Sequence, residues 1–152
     1  GGENGQRSLV LGLMKECAGI SALLFVSSPH ARALSMVDLS AVSHQNGPLF
    51  DRYDGYAGSA EAVEKIGAML SAPGGGVVML GGGGGIILSA DSVGDAVMKA
   101  RAVDSCAQSL LLALATNRPV THNSNLNIGV EGRSERERLF AAMKKWSEAE
   151  QD

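Results

Sequence analysis

Apolar positions recur along this chain at two different periods, and the switches between them mark out its elements. Leu9, Leu13 and Cys17 fall on one helical stripe with Val10 and Met14 beside it, so Arg7 to Cys17 reads as a helix. Ser21 to Ser27 is a continuous apolar run that suits a buried strand. Pro29 stands where a first helical turn tolerates proline, and a short helix is expected through Met36. Asp38 to Gly58 is polar and broken, with short extended pieces expected near Val42 and Tyr53. Ser59 to Ser71 reads as a helix with Ala62, Val63, Ile66, Met69 and Leu70 inward, stopped by Pro73 and Gly74 to Gly76.

Two strands are then expected on either side of five consecutive glycines, Gly81 to Gly85: Val77-Val78-Met79-Leu80 before them and Ile86-Ile87-Leu88 after. Asp91 or Ser92 can N-cap a long helix. Its stripe is Val93, Ala96, Val97, Ala100, Val103, Cys106, Ala107, Leu110, Leu111 and Leu114. Asn117, Arg118 and Pro119 end it, and His122 to Arg133 reads as a loop. Ser134-Glu135-Arg136-Glu137 forms a capping box for a last helix with Leu139, Phe140, Met143 and Trp146 on its apolar side. The order of elements argues for a layered α/β or α+β domain.

Composition narrows the function classes. The 152 residues are 45% hydrophobic and 19% charged, which is globular rather than disordered. A net charge of −3 gives no electrostatic footprint for nucleic acid. No apolar stretch reaches the ~18 residues of a membrane span. Cys17 and Cys106 are far apart and form no CxxC, so the expectation is two reduced thiols and an intracellular, reducing compartment. The chain begins Gly-Gly, as a tag scar, a processed terminus or a fragment would.

Candidate chemistry is sparse. The glycine run leads into Ile-Ile-Leu with no Lys-Ser/Thr, which argues against a phosphate loop and for a flexible or closely packed inter-strand segment. His30, His44 and His122 form no HxH or HExxH arrangement. Ser27 and Ser28 lack a GxSxG context. Side chains and backbone left as binding candidates are His30, His44, Tyr53, Gly83 and Gly84.

In order and spacing the pieces resemble the C-terminal half or more of the class II aldolase/adducin family. Leu23-Leu24-Phe25-Val26-Ser27-Ser28-Pro29-His30-Ala31-Arg32-Ala33-Leu34 is similar to that family's strand-to-helix element, which typically carries His-x-His-Ser-Pro-x-Ala-x-Ala-Leu. Val78 to Ser89 looks like its strand with Asn-His-Gly. Asp91-Ser92-Val93-Gly94-Asp95-Ala96 and Val103-Asp104-Ser105-Cys106-Ala107-Gln108 look like the start and middle of its long helix. Phe50 to Ser59, with Tyr53, Asp54, Gly55 and Gly58, is similar to the branch that includes adducin heads. The resemblance covers about residues 6 to 118.

It implies a three-layer αβα domain over 1–118, with a mixed sheet and flanking helices, then a loop at 119–133 and an amphipathic helix at 134–152. It also implies that the catalytic equipment is missing. The two metal histidines of the HxH motif fall on Phe25 and Ser27, the third falls on Gly84, and the acid/base carboxylate falls on Gln6. A Lewis-acid metal needs about three protein ligands, and these residues supply at most one weak neutral one. Gln moves no proton near neutral pH. The family's phosphate-binding loops belong to an N-terminal portion with no counterpart here. The expectation is therefore a non-catalytic domain without cofactor, a structural or interaction subunit of a homo-oligomer or larger assembly. One sheet face is expected to lack its cover and to seek a protein partner. The rivals are a metal-dependent lyase with a rewired site, using zinc or another divalent ion through His30, His44, Tyr53, Tyr56 and His122, and a fragment that complements a separate N-terminal chain.

Overall fold

In the computed structural model, which describes residues 2–44 and 50–122 together with positions 143, 147 and 148, four helices enclose a mixed four-stranded sheet. The helices are α1 (Gly2–Glu16), α2 (Pro29–Leu34), α3 (Ala60–Leu70) and α4 (Val93–Leu114). The strands are β1 (Ala22–Val26), β2 (Val42–His44), β3 (Asp51–Tyr53), β4 (Val77–Leu80), β5 (Gly85–Ala90) and β6 (Val120–His122). Serine opens three of the helices. Ser28, Ser59 and Ser92 each accept the backbone N–H three residues on, from Ala31, Ala62 and Asp95, all at 3.1 Å. Pro29 sits in the first turn of α2, where its missing N–H costs nothing.

The main sheet has the order β1-β5-β4-β3. β1 and β4 each run antiparallel to β5, and β3 runs parallel to β4. Strand alternation sends Val78, Leu80 and Ile87 to a cluster with Leu9, Leu13, Ala62, Ile66 and Leu70 of α1 and α3. Met79, Ile86 and Leu88 point the other way, to a cluster with Leu34, Val103, Ala107 and Leu110 of α2 and α4. Every residue of β5 is buried, as a strand covered on both faces requires. Helices therefore lie on both faces of an α/β sheet. The expected bare face is absent; what the described residues leave open is an edge.

Glycine sets the distance between α1 and α3. A methyl group added at Gly12 would come within 2.5 Å of Val63 Cγ2, and one at Gly67 within 2.7 Å of Cys17 Sγ. Only hydrogen at these positions lets the two backbones pack so closely.

Two expectations need correction. The expected loop after Pro119 begins instead with β6, which pairs in parallel with β2 in the register Val42↔Val120, Ser43↔Thr121 and His44↔His122. Val93 and Val97 of the expected apolar stripe face solvent, at 72% and 41% exposure. Their place on the stripe is taken by a lysine: Lys99 is 5% exposed, between buried Ala96 and Val103. The capping box at 134–137 and the apolar side of the last helix fall outside the described residues, apart from Met143, whose side chain is exposed.

Lys99 is held by its hydrogen bonds. Nζ donates to the carbonyls of Gly74 at 3.0 Å and Ser89 at 2.8 Å. Ser89 is itself buried; its Oγ donates to Leu70 O at 2.6 Å and accepts from Gly76 N at 2.8 Å. The end of α3, the turn before β4, the end of β5 and the first half of α4 thus meet at one polar knot. Desolvation lowers the Lys99 pKa, partly offset by Asp91 and Asp95. The unfolded chain then binds more protons between the lowered folded value and the ordinary ~10.4, so the group's contribution to stability rises with pH across that window. Two N–H bonds remain to the amine when neutral, enough for both carbonyls. The expected result is that the urea midpoint of the wild-type chain rises relative to that of Lys99→Met as pH is raised toward about 10.4. A gap independent of pH would mean that the lysine is not desolvated.

Candidate functional site

The glycine run forms the turn between β4 and β5, and each of its constraints has a local source. Gly82, Gly83 and Gly85 have φ of +73°, +90° and +80°, the left-handed region that glycine enters without penalty. Gly81 N–H donates to Tyr53 O at 2.9 Å, and a side chain at Gly81 would run into Asp54. A methyl group at Gly83 would come within 2.6 Å of Met36 Cε, and one at Gly85 within 2.6 Å of Val26 O. Only Gly82 of this run looks into open space. The turn is therefore closely packed by its own chain.

Ser35 clamps it to the end of α2, and Arg52 ties the neighbouring strand β3 to the same place. Ser35 is fully buried; its Oγ donates to Arg32 O at 2.7 Å and accepts the Gly85 N–H at 3.2 Å. Arg52 on β3 donates to Asp54 Oδ1 at 2.7 Å, to Val37 O at 3.1 Å and to Ser35 O at 3.3 Å. Neither residue stood out in the sequence. A serine and an arginine in broken polar stretches carry no pattern until the turn they serve is folded.

Against this turn lies Gln6 of α1. Gln6 Nε2 approaches Gly84 O at 3.5 Å. The end of β1 lies beside it: Phe25 is the register partner of Ile87, and a methyl at Gly85 would lie 3.7 Å from Ser27 Cα. The positions Gln6, Phe25, Ser27 and Gly84 are thus gathered at one end of the β1–β5 pair, with Gly83 in the same turn. Their donors are an amide, a hydroxyl and backbone, with no group that titrates near neutral pH.

The other candidates sit elsewhere. His30, on α2, lies 4.0 Å from Asp104 of α4, both side chains about two-fifths exposed. Ser28 Oγ donates to the same Asp104 carboxylate and accepts from Ala31 N. The serine proton goes to the carboxylate and not to the imidazole, which is the wrong order for an activated nucleophile. The trio is a strut between α2 and α4. Tyr53 is buried in the α1/α3 cluster, with Oη 3.4 Å from Ser59 Oγ. His44 is paired by register with His122 in the small sheet. His30, His44 and Tyr53 therefore stand on three separate elements.

Cys17 and Cys106, each half-buried, form no disulfide. Among the described residues, no group of three or more His, Cys, Asp or Glu is placed to hold a metal ion. No helix among them is long and apolar enough to cross a membrane. No family model, curated protein or solved structure matches this chain.

Proposed function

We propose that this chain is a non-catalytic domain of class II aldolase/adducin type, a structural or interaction subunit of a larger assembly. The observation that carries the reading is the approach of Gln6 to Gly84 beside the end of β1. The four positions at which the resemblance expects an acid/base carboxylate and three metal histidines lie within one small region, although 78 residues separate the first from the last. Spatial convergence is what a former active site requires; a chance resemblance in sequence does not require it. Gln, Phe, Ser and Gly at those places leave the packing and remove the ligands. An interaction role is further supported by apolar surface: Leu11 and Met14 share a face of α1 at 58% and 71% exposure.

Restoring the ligands tests the geometry. Phe25→His/Ser27→His/Gly84→His should acquire one zinc or manganese per chain, measured by elemental analysis after dialysis, whereas the parent should retain none. The double variant Phe25→His/Ser27→His, which leaves the glycine turn intact, should bind more weakly. If a folded triple variant holds no more metal than the parent, the four positions do not mark a former metal centre, and the family reading falls with them.

A further inference from the structure

The two edges of the main sheet are built differently. β3 has three residues, and two of them, Asp51 and Arg52, are charged. Short length and charge are the usual protection of an edge strand against pairing with another chain. β1, on the opposite edge, is Ala22-Leu23-Leu24-Phe25-Val26, with no charge, proline or glycine. Its three central residues are only half-buried although all are large and apolar.

The unused hydrogen-bonding groups of this edge can be identified. Ser89 N–H donates to Gly76 O at 3.0 Å, so Ser89 turns toward β4. Successive residues of a strand turn to opposite neighbours, so Leu88 turns toward β1. Leu88 is the register partner of Leu24, which places Leu24 as a hydrogen-bonded pair within the sheet. Leu23 and Phe25 therefore direct their N–H and C=O groups outward. Among the described residues, no hydrogen bond reaches these four groups.

We propose that β1 pairs antiparallel with β1 of a second copy, about a two-fold axis through Leu24, to form one continuous eight-stranded sheet. The proposal rests on the interaction-subunit reading and names the partner. The strand is self-complementary in this register. Leu23 faces the second copy's Phe25 in two hydrogen-bonded pairs, which uses all four open groups. Leu24 meets its own counterpart in the central non-hydrogen-bonded pair, and Ala22 lies opposite Val26, a small residue against a branched one. No charge stands between Ser21 and Ser27, so the axis brings no like charges together. A C2 interface demands this kind of self-complementarity. It also removes an apolar edge that a lone subunit would leave open to aggregation.

The register makes a cross-linking test specific. The Cα atoms of a non-hydrogen-bonded pair stand about 4.5 Å apart, within disulfide range. In a Cys17→Ala/Cys106→Ala background, Leu24→Cys should form a disulfide-linked dimer on mild oxidation. Leu23→Cys alone should not, while a mixture of Leu23→Cys and Phe25→Cys chains should cross-link to each other. Because a core-facing cysteine can disturb the fold, the unmodified chain is measured too. It should sediment as a dimer, and its Leu23 and Phe25 amides should exchange at least about tenfold more slowly than in dilute monomer.

A monomer whose Leu23 and Phe25 amides exchange freely overturns the proposal. So does a monomer in which they are protected, since another part of the chain then occupies the edge. A dimer that cross-links at Leu23 alone, or in which these amides stay open, assigns association to another register or surface and equally overturns it. A monomer that captures a different chain would sink this proposal and leave the interaction-subunit reading standing. A dimer that carries stoichiometric catalytic metal would do the reverse.

Discussion

Replacing Val103 with aspartate is expected to abolish the cooperative folding transition of this domain. Val103 is 0% exposed, on the face of α4 that packs against Met79, Ile86 and Leu88. An ionised carboxylate there would be buried among apolar side chains, and Lys99, one turn earlier on α4, is already held by the carbonyls of Gly74 and Ser89. Leaving one charge of a buried pair uncompensated costs ~3–5 kcal/mol, and here even the packing of the methyl groups is lost. That is a large part of the ~5–15 kcal/mol that hold an ordinary domain together. Leu110→Ala, about two turns along the same stripe, should cost ~2–5 kcal/mol through the cavity it leaves. Urea melts are the measurement. Losses under about 1 kcal/mol for both would place α4 at the periphery, against the burial described above.

The second large effect is expected at Gly85. A side chain there must adopt a φ of +80°, and its Cβ would stand 2.6 Å from Val26 O, a backbone atom of the neighbouring strand. Valine adds a branch at the same place. Left-handed backbone costs ~1–2 kcal/mol for an L-residue. Forcing β1 from β5 adds overpacking of ~1–3 kcal/mol. Gly82 provides the internal comparison. Its φ is +73°, but nothing lies within 4 Å of an added methyl. Gly82→Ala should therefore show the backbone cost alone, and Gly85→Val should exceed it by at least about 1 kcal/mol. Equal losses would mean that the turn yields freely and does not fix the end of the β1–β5 pair.

Where local chemistry decides an element, the sequence was a sufficient guide. A proline in a first turn, an apolar stripe stopped by proline and glycine, and a cap at Asp91 or Ser92 locate α2, α3 and α4 to within a residue or two. Continuous apolar runs locate β1, β4 and β5. What escaped depends on distant partners. Val120-Thr121-His122 is too short for any period to show, and it becomes a strand only because β2 lies beside it. The helical period counted Val93 and Val97 as core because it cannot know where the sheet ends beneath α4. It passed over Lys99 because hydropathy registers the charge and misses the two carbonyls waiting for it. The glycine run showed a need for bare backbone, but not whether its own chain or another supplies the close approach. Ser35, Arg52, Val26 and Met36 supply it from within.

The site is legible in a similar, partial way. Gln6 and Gly84 are connected only by a resemblance in sequence, and the fold places them together. His30, His44 and Tyr53 attracted attention as residue types, and the fold distributes them over α2, β2 and β3. Asp104 gives His30 a neighbour, but Ser28 holds the same carboxylate, which makes a strut of it.

Native mass spectrometry with elemental analysis, on protein purified without chelator, separates a metal-free assembling subunit from a metal-dependent enzyme. The expected result is an assembly larger than one chain, carrying no stoichiometric zinc, iron or manganese. A monomer that retains one such ion per chain through dialysis, and loses it when His30 or His44 is replaced, would contradict it.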